Sequence, residues 1–189
     1  MSGLRVISGK AGGLRLRSVP GDATRPITDR SKESLFNILS TDIVGSRFLD
    51  LFAGTGSVGI EALSRGAAFA RFVDKQRQAI NTVQANLKST NLETSAEVLR
   101  MDAFSLLEKP ADQEFDYVFI APPQYKQLWK RALTIHDQHP QWLVEDAWVI
   151  VQIHPVEYEK LPLNNLEELE QRRYGSTIFI FFENTSLSG

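Results

Sequence analysis

Residues 48–59 read Phe48-Leu49-Asp50-Leu51-Phe52-Ala53-Gly54-Thr55-Gly56-Ser57-Val58-Gly59, and this stretch decides the fold. It opens on apolar residues around a single acid and then places three glycines within six positions. The amphipathic run Ile60–Leu63 follows at once. A strand, a tight glycine loop and a helix start give this pattern, and open α/β sheets build ligand sites in this way.

Taken literally, Gly54-Thr55-Gly56-Ser57-Val58-Gly59 is also a G-x-G-x-x-G, the form used for nicotinamide and flavin dinucleotides. Three glycines alone discriminate poorly, and a glycine-rich βα turn with no ligand also has this form. Asp50, at the carboxyl end of the strand, separates the readings. A carboxylate beside a pyrophosphate at a helix N-terminus would repel it. A ligand that carries an ammonium and a sulfonium gains from the same charge, and S-adenosylmethionine (SAM) carries both. The loop residues Phe52, Ala53, Gly54, Thr55, Gly56, Ser57 and Gly59 are therefore candidate SAM contacts together with Asp50.

Working outward, the chain alternates strand and helix, which implies a parallel sheet with right-handed crossovers. The patterning predicts strands at 68–73, 96–100, 115–120 and 147–153, with helices between them. Residues 166–174 and 176–183 read as two further strands hinged at Gly175. The expected fold is Rossmann-like α/β, a mostly parallel seven-stranded sheet closed by an antiparallel C-terminal strand, as in SAM-dependent methyltransferases. Toward the N-terminus, 4–8 and 14–19 read as the two strands of a small β-hairpin around Gly9-Lys10-Ala11-Gly12-Gly13. A helix then starts near Thr28, a good N-cap, with Asp29 suited to its positive end and Leu35, Phe36, Ile38 and Leu39 as its buried stripe. The expected organisation is an extension over 1–24 and a methyltransferase domain over 25–189.

Composition narrows the classes further. The 189 residues suffice for a substantial core, and 42% hydrophobic with 23% charged is ordinary for a globular chain. With no cysteine, disulfides, thiolate metal sites and cysteine nucleophiles are excluded. No apolar run approaches a membrane span and no signal-peptide core is present, so the expected compartment is the cytosol. The net charge of −2 is unevenly spread. Residues 1–47 hold eight cations (Arg5, Lys10, Arg15, Arg17, Arg25, Arg30, Lys32, Arg47) against four acids, a surplus of +4 on an otherwise acidic chain. Such asymmetry suits a module that binds a polyanion, and a solvated charged face gives it equally.

Three acids fall at the ends of three successive predicted strands, where open α/β sheets bind ligands. Asp50 suits the methionine amino group. Asp74, with Lys75 beside it, lies at the distance past the glycines where an acid takes both ribose hydroxyls. Asp102 and Ala103 suit the adenine, although Asp102 alone could equally cap a helix.

With these residues in place, the chain resembles the RsmD-type family of small-subunit ribosomal RNA guanine-N2 methyltransferases. The resemblance rests on Arg5-Val6-Ile7-Ser8-Gly9 with Arg25-Pro26-Ile27-Thr28-Asp29-Arg30, on Asp50 through Gly66, and on the 115–123 segment with its double proline. It implies SAM as methyl donor and a guanine of small-subunit rRNA, naked or in an assembling subunit, as acceptor. It also implies that Arg5, Lys10, Arg15, Arg17, Arg25 and Arg30 face the RNA. In that family the fourth strand is followed by Asp or Asn, Pro-Pro and an aromatic. Here the positions hold Ala121, Pro122, Pro123 and Gln124, followed by Tyr125. The chemistry explains the usual choice, because the lone pair of a guanine N2 amine is conjugated with the ring. Acceptors for its N–H bonds aim that lone pair at the methyl, and an aromatic stacks on the extruded base. Here Pro122 keeps its carbonyl, Gln124 offers an amide oxygen and Tyr125 a ring.

The leading expectation is a monomeric, metal-free SAM-dependent rRNA methyltransferase. The alternatives are a catalytically degenerate SAM-binding ribosome-assembly factor, motivated by Ala121 and Gln124, and an NAD-dependent oxidoreductase, for which Asp50 is misplaced. His136 and His139 read as residues of a helix end at the surface, not metal ligands. Trp129, Trp142 and Trp148 read as packing aromatics. Lys126 and Lys130 suit either phosphate or a solvated helix face.

Overall fold

The computed structural model describes residues 3–21, 27–124 and 126–186. Among these described residues five α-helices and seven strands follow one another as α1 (Asp29–Leu39), β1 (Arg47–Asp50), α2 (Ser57–Ser64), β2 (Phe69–Asp74), α3 (Arg77–Ser89), β3 (Ala96–Arg100), α4 (Ala103–Leu107), β4 (Phe115–Ile120), α5 (Leu128–Gln138), β5 (Leu143–Ile153), β6 (Leu166–Tyr174) and β7 (Thr177–Asn184). The strands form a single seven-stranded sheet in the order β3-β2-β1-β4-β5-β7-β6. The chain divides into two compact units, Met1–Met101 and Asp102–Gly189.

In the first unit, β1 pairs with β2 and β2 with β3, all parallel, so that Asp50 lies opposite Phe72 and Asp74 opposite Arg100. Parallel strands are covered on both faces, and here Phe48, Leu49, Phe72 and Val73 have no exposed surface. All eight residues of α2 are buried. Gly59 makes that possible. A Cβ built there would lie 2.4 Å from the ring of Phe72, so only glycine lets the helix approach β2 this closely. Helix α1 starts as expected, with Thr28 Oγ1 accepting from the Ser31 N–H at 3.1 Å. Leu35, Phe36 and Leu39 are buried, as is Lys32, which the apolar pattern did not single out.

The predicted N-terminal hairpin is present in reduced form. Its two strands contract to one antiparallel bridge, Arg5 with Arg15, supported by backbone bonds from Val6 to Leu14, Gly13 to Val6 and Leu16 to Leu4. The missing ladder has a physical cause: much of the segment's backbone is bonded to helices instead. The N–H groups of Ile7 and Ser8 donate to Glu61, that of Ala11 to Ser64 Oγ, and that of Lys10 to the Ser64 carbonyl. Gly9 sits so close that a Cβ would fall 1.9 Å from the Ser64 oxygen.

In the second unit, β4 and β5 are parallel, whereas β7 runs antiparallel to both β5 and β6. Ile178 through Phe182 are all buried, which suits a strand flanked on both edges. Strand β6 carries Glu167, Glu170, Arg172 and Arg173 and has a register shift between Glu168 and Glu170, features that blunt an edge. Tyr174 pairs with Thr177 across Gly175-Ser176, with Gly175 at φ +60°, a two-residue hairpin turn. Strand β5 begins four residues earlier than the patterning predicts. In the structure, Asp146 takes φ +61°, and the pairing of β5 with β4 jumps from Leu143 opposite Phe115 to Trp148 opposite Tyr117. The acidic pair Glu145-Asp146 sits in a bulge within one strand.

Candidate functional site

The glycine loop is shaped by backbone constraints that the sequence encodes directly. The Ala53 N–H donates to the Val73 carbonyl at 2.9 Å, tying the loop to β2, and the Gly56 N–H closes a turn onto Ala53 at 2.8 Å. Gly54 (φ +56°) and Gly56 (φ +80°) occupy the left-handed region that L side chains avoid. A Cβ on Gly54 would meet nothing within 4 Å, so this loop residue borders open space.

Two acids flank the loop. Asp50 is 2% exposed, and its carboxylate accepts the backbone N–H of Gly59 in the first turn of α2. Burial, reinforced by the charge of Asp74 and opposed by the Gly59 bond, pushes its pKa up to about 7. A cation placed beside this carboxylate would favour its ionised form. Asp74 is half-buried and spans the loop, Oδ2 accepting from the Gly54 N–H at 3.0 Å and Oδ1 from the Gln76 N–H at 2.9 Å. Lys75 is exposed, and its carbonyl accepts from Arg100. The structure therefore gathers Asp50, Asp74 and Gly54–Gly59 into one cluster. An ammonium toward Asp50 and a diol toward Asp74 fit this donor set, whereas a pyrophosphate between two carboxylates does not.

Sequence reasoning missed the polar residues beneath this loop. Glu61 has no exposed surface and takes the N–H groups of Ile7 and Ser8, the guanidinium of Arg65 at 2.8 Å and the ammonium of Lys32 at 3.4 Å. Arg65 also lies over the ring of Phe36. Asn86, buried on α3, holds both backbone groups of Arg17 and the carbonyl of Thr55. The available signal was a polar residue on an otherwise apolar helix face, which sequence alone does not tell from a boundary position.

Of the proposed RNA-facing cations, Lys10, Arg15, Arg17 and Arg30 are exposed. Arg5 is exposed and pairs with Asp29 at 2.8 Å. Arg25 lies outside the described residues.

In the second unit, Asp102 caps α4 by accepting the Ser105 N–H at 3.0 Å, with Ala103 and Phe104 buried behind it. Arg131 lies 4.1 Å over the Phe104 ring. After β4, Ala121 is half-buried, Pro122 buried, and Pro123 and Gln124 exposed; Tyr125 lies outside the described residues. Lys126 is exposed, while Lys130 pairs with Glu159 and Gln127. Trp129 and Trp142 are buried, and Trp148 packs edge-on against Phe181.

His136 corrects the sequence expectation of a surface residue. It is wholly buried, neither ring nitrogen has a partner among the described residues, and burial pulls its pKa down to about 3. The period of α5 turns position 136 inward, one heptad from the buried Trp129. Among the described residues no cluster of three His, Cys, Asp or Glu side chains is placed to hold a metal.

Comparison with known proteins agrees with this architecture. The family model described as Conserved hypothetical protein 95 matches residues 4–183. YlbH of Bacillus subtilis, named as a candidate rRNA methyltransferase, is 43% identical over 178 residues, covering 92% of this chain and 95% of that one. The ribosomal RNA small subunit methyltransferase D of Escherichia coli is 34% identical over 149 residues, 79% of this chain and 74% of its own. Among solved structures, that of Escherichia coli yhhF, titled as a candidate methyltransferase, superposes with a TM-score of 0.86 at 28% identity, covering 97% of this chain and 98% of the other. A glycine loop flanked by Asp50 and Asp74, on a sheet of this strand order and with this kinship, has one home: the chain belongs to the RsmD-type family of rRNA small-subunit methyltransferases.

Proposed function

We propose that this protein is a SAM-dependent methyltransferase that modifies the exocyclic N2 amine of a guanine in small-subunit ribosomal RNA. The observation that carries the proposal is Asp50, a carboxylate buried to 2% exposure beside an open glycine loop, where a cationic ligand is the natural partner. SAM, held there, would supply an electrophilic methyl carbon for the guanine amine, with the thioether S-adenosylhomocysteine as leaving group and an amine proton lost to solvent. Asp50 would bind the methionine ammonium, Asp74 the ribose hydroxyls, and Asp102 with Ala103 the adenine. The Pro122 carbonyl would accept an amine N–H, with Gln124 or Tyr125 standing in for the missing side-chain acceptor and aromatic. Residues 1–24 would form an RNA-facing extension on the 25–189 domain, engaging phosphates through Arg5, Lys10, Arg15, Arg17, Arg25 and Arg30.

Incubation with labelled SAM and small subunits lacking the modification, followed by mapping of the methylated base, tests the reading. Incorporation at a guanine N2 that disappears in Asp50→Asn supports it; no incorporation at all sinks the activity.

Ala121 specifically favours a second reading, a SAM-binding assembly factor that no longer turns over. It requires cofactor binding by calorimetry with no methyl transfer to any subunit preparation, and robust wild-type turnover excludes it.

A further inference from the structure

The N-terminal segment is gripped by helix side chains, and two of these reach onward into the glycine loop. Lys32, with no exposed surface, donates from Nζ to the Arg5 carbonyl at 2.5 Å and to the Ser57 hydroxyl at 2.9 Å, with Glu61 3.4 Å away. Asn86, equally buried, accepts the Arg17 N–H at 2.7 Å and donates to the carbonyls of Arg17 at 3.1 Å and Thr55 at 2.9 Å. Each head group thus bonds one residue of the segment and one residue of the loop. The gripped residues, Arg5 and Arg17, carry exposed cations, while Thr55 and Ser57 flank Gly56, where the loop turns into α2.

We propose that Lys32 and Asn86 are positioning residues that couple the cofactor loop to the cationic N-terminal segment, so that filling the loop and ordering the segment favour each other. This rests on the reading of the loop as the SAM site and of the segment as RNA-facing. If the segment peels away, a buried ammonium loses one acceptor and a buried amide loses two partners, and water entering in their place makes up only part of the loss. The freed head groups then hold Ser57 and Thr55 less firmly. A ligand that fixes the loop lowers the cost of ordering the segment, and linkage makes the effect reciprocal. A polyanion seated on the segment should therefore tighten cofactor binding.

Amide hydrogen exchange on the full-length protein, with and without saturating S-adenosylhomocysteine, tests the coupling without any RNA. In the wild type the N–H groups of Ile7 and Ser8, held by Glu61, and of Arg17, held by Asn86, should exchange at least about fivefold more slowly with the ligand bound. In Ser57→Ala, which removes only the loop-side contact of Lys32, the Ile7 and Ser8 response should shrink. In Asn86→Asp, which keeps the acceptor for Arg17 but loses both donors, Arg17 should stay protected yet stop responding. Unresponsive amides in the wild type, or a full response in both variants, would overturn the coupling; a merely structural role predicts the latter. In a second arm, a guanine-containing hairpin from small-subunit rRNA should tighten S-adenosylhomocysteine binding at least about fivefold in the wild type and leave Asn86→Ala unchanged. An RNA that fails to bind removes the RNA reading and leaves amide exchange to decide the coupling. Tight RNA binding with no change in ligand affinity counts against it.

Discussion

At Asp50 one carboxyl group links stability, binding and pH. In the folded chain it keeps its proton up to about pH 7, whereas the unfolded chain releases it near 3.8. Between those values the folded state binds the extra proton. The stabilisation is therefore full below about pH 3.8 and lost as pH rises toward 7, at about 1.4 kcal/mol per pH unit. Asp50→Asn, neutral throughout, should lack this slope in denaturant titrations at pH 5 and 7.5. A ligand ammonium requires the ionised form, so wild-type affinity for S-adenosylhomocysteine should fall about tenfold per unit as pH drops below 7. A flat affinity profile from pH 5 to 8 would remove Asp50 from the ammonium site. Ala121 and Gln124 make a second prediction at this scale. Restoring an aimed acceptor is worth about 2.7 to 4 kcal/mol if oxyanion-hole figures transfer, so Ala121→Asp with Gln124→Phe should raise turnover about 100-fold or more if the native acceptor is absent. No gain in single-turnover rate would mean that another group already serves.

Elements explain why glycines of one loop answer to different assays. Gly59 belongs to the packing of α2 on β2. In Gly59→Ala the new methyl would press on the buried Phe72 ring from 2.4 Å, and the ring or the helix must shift. A loss of about 1 to 3 kcal/mol in urea titration is expected. Gly54 faces open space, so Gly54→Ala strains a left-handed φ by about 1 kcal/mol and should appear mainly as weakened cofactor affinity. Helix α5 carries a different pH device. His136 stays neutral in the fold down to about pH 3 but protonates near 6.5 when unfolded. Its contribution is therefore complete above about pH 6.5 and lost on acidification at about 1.4 kcal/mol per unit. His136→Leu should flatten the acid limb of the stability curve, as followed by thermal unfolding at pH 4.5 and 7.

For the whole molecule, residues 7–17 matter because their backbone bonds to side chains of α2 and α3. Deleting residues 1–20 would strip Glu61 of two N–H donors, leave Asn86 without Arg17 and free Ser64 from the Ala11 N–H. Buried polar groups left unpaired cost about 1–3 kcal/mol each, so the truncation should lose about 3 kcal/mol or more by chemical denaturation. A simple tail would lose nothing measurable. By itself the sequence determined the strand–loop–helix at 48–59, the alternation of strands and helices, the Thr28 cap and the antiparallel close at Gly175. These are local: glycine φ, side-chain period and capping act within a few residues. Only the tertiary structure decided that Lys32, Glu61 and Asn86 are buried and bonded to the N-terminal segment, that Glu145-Asp146 lies in a bulge, and that His136 points inward. Each depends on a partner 27 to 69 residues away along the chain or on what covers a face. A polar side chain reads the same in sequence whether water or a buried backbone group satisfies it.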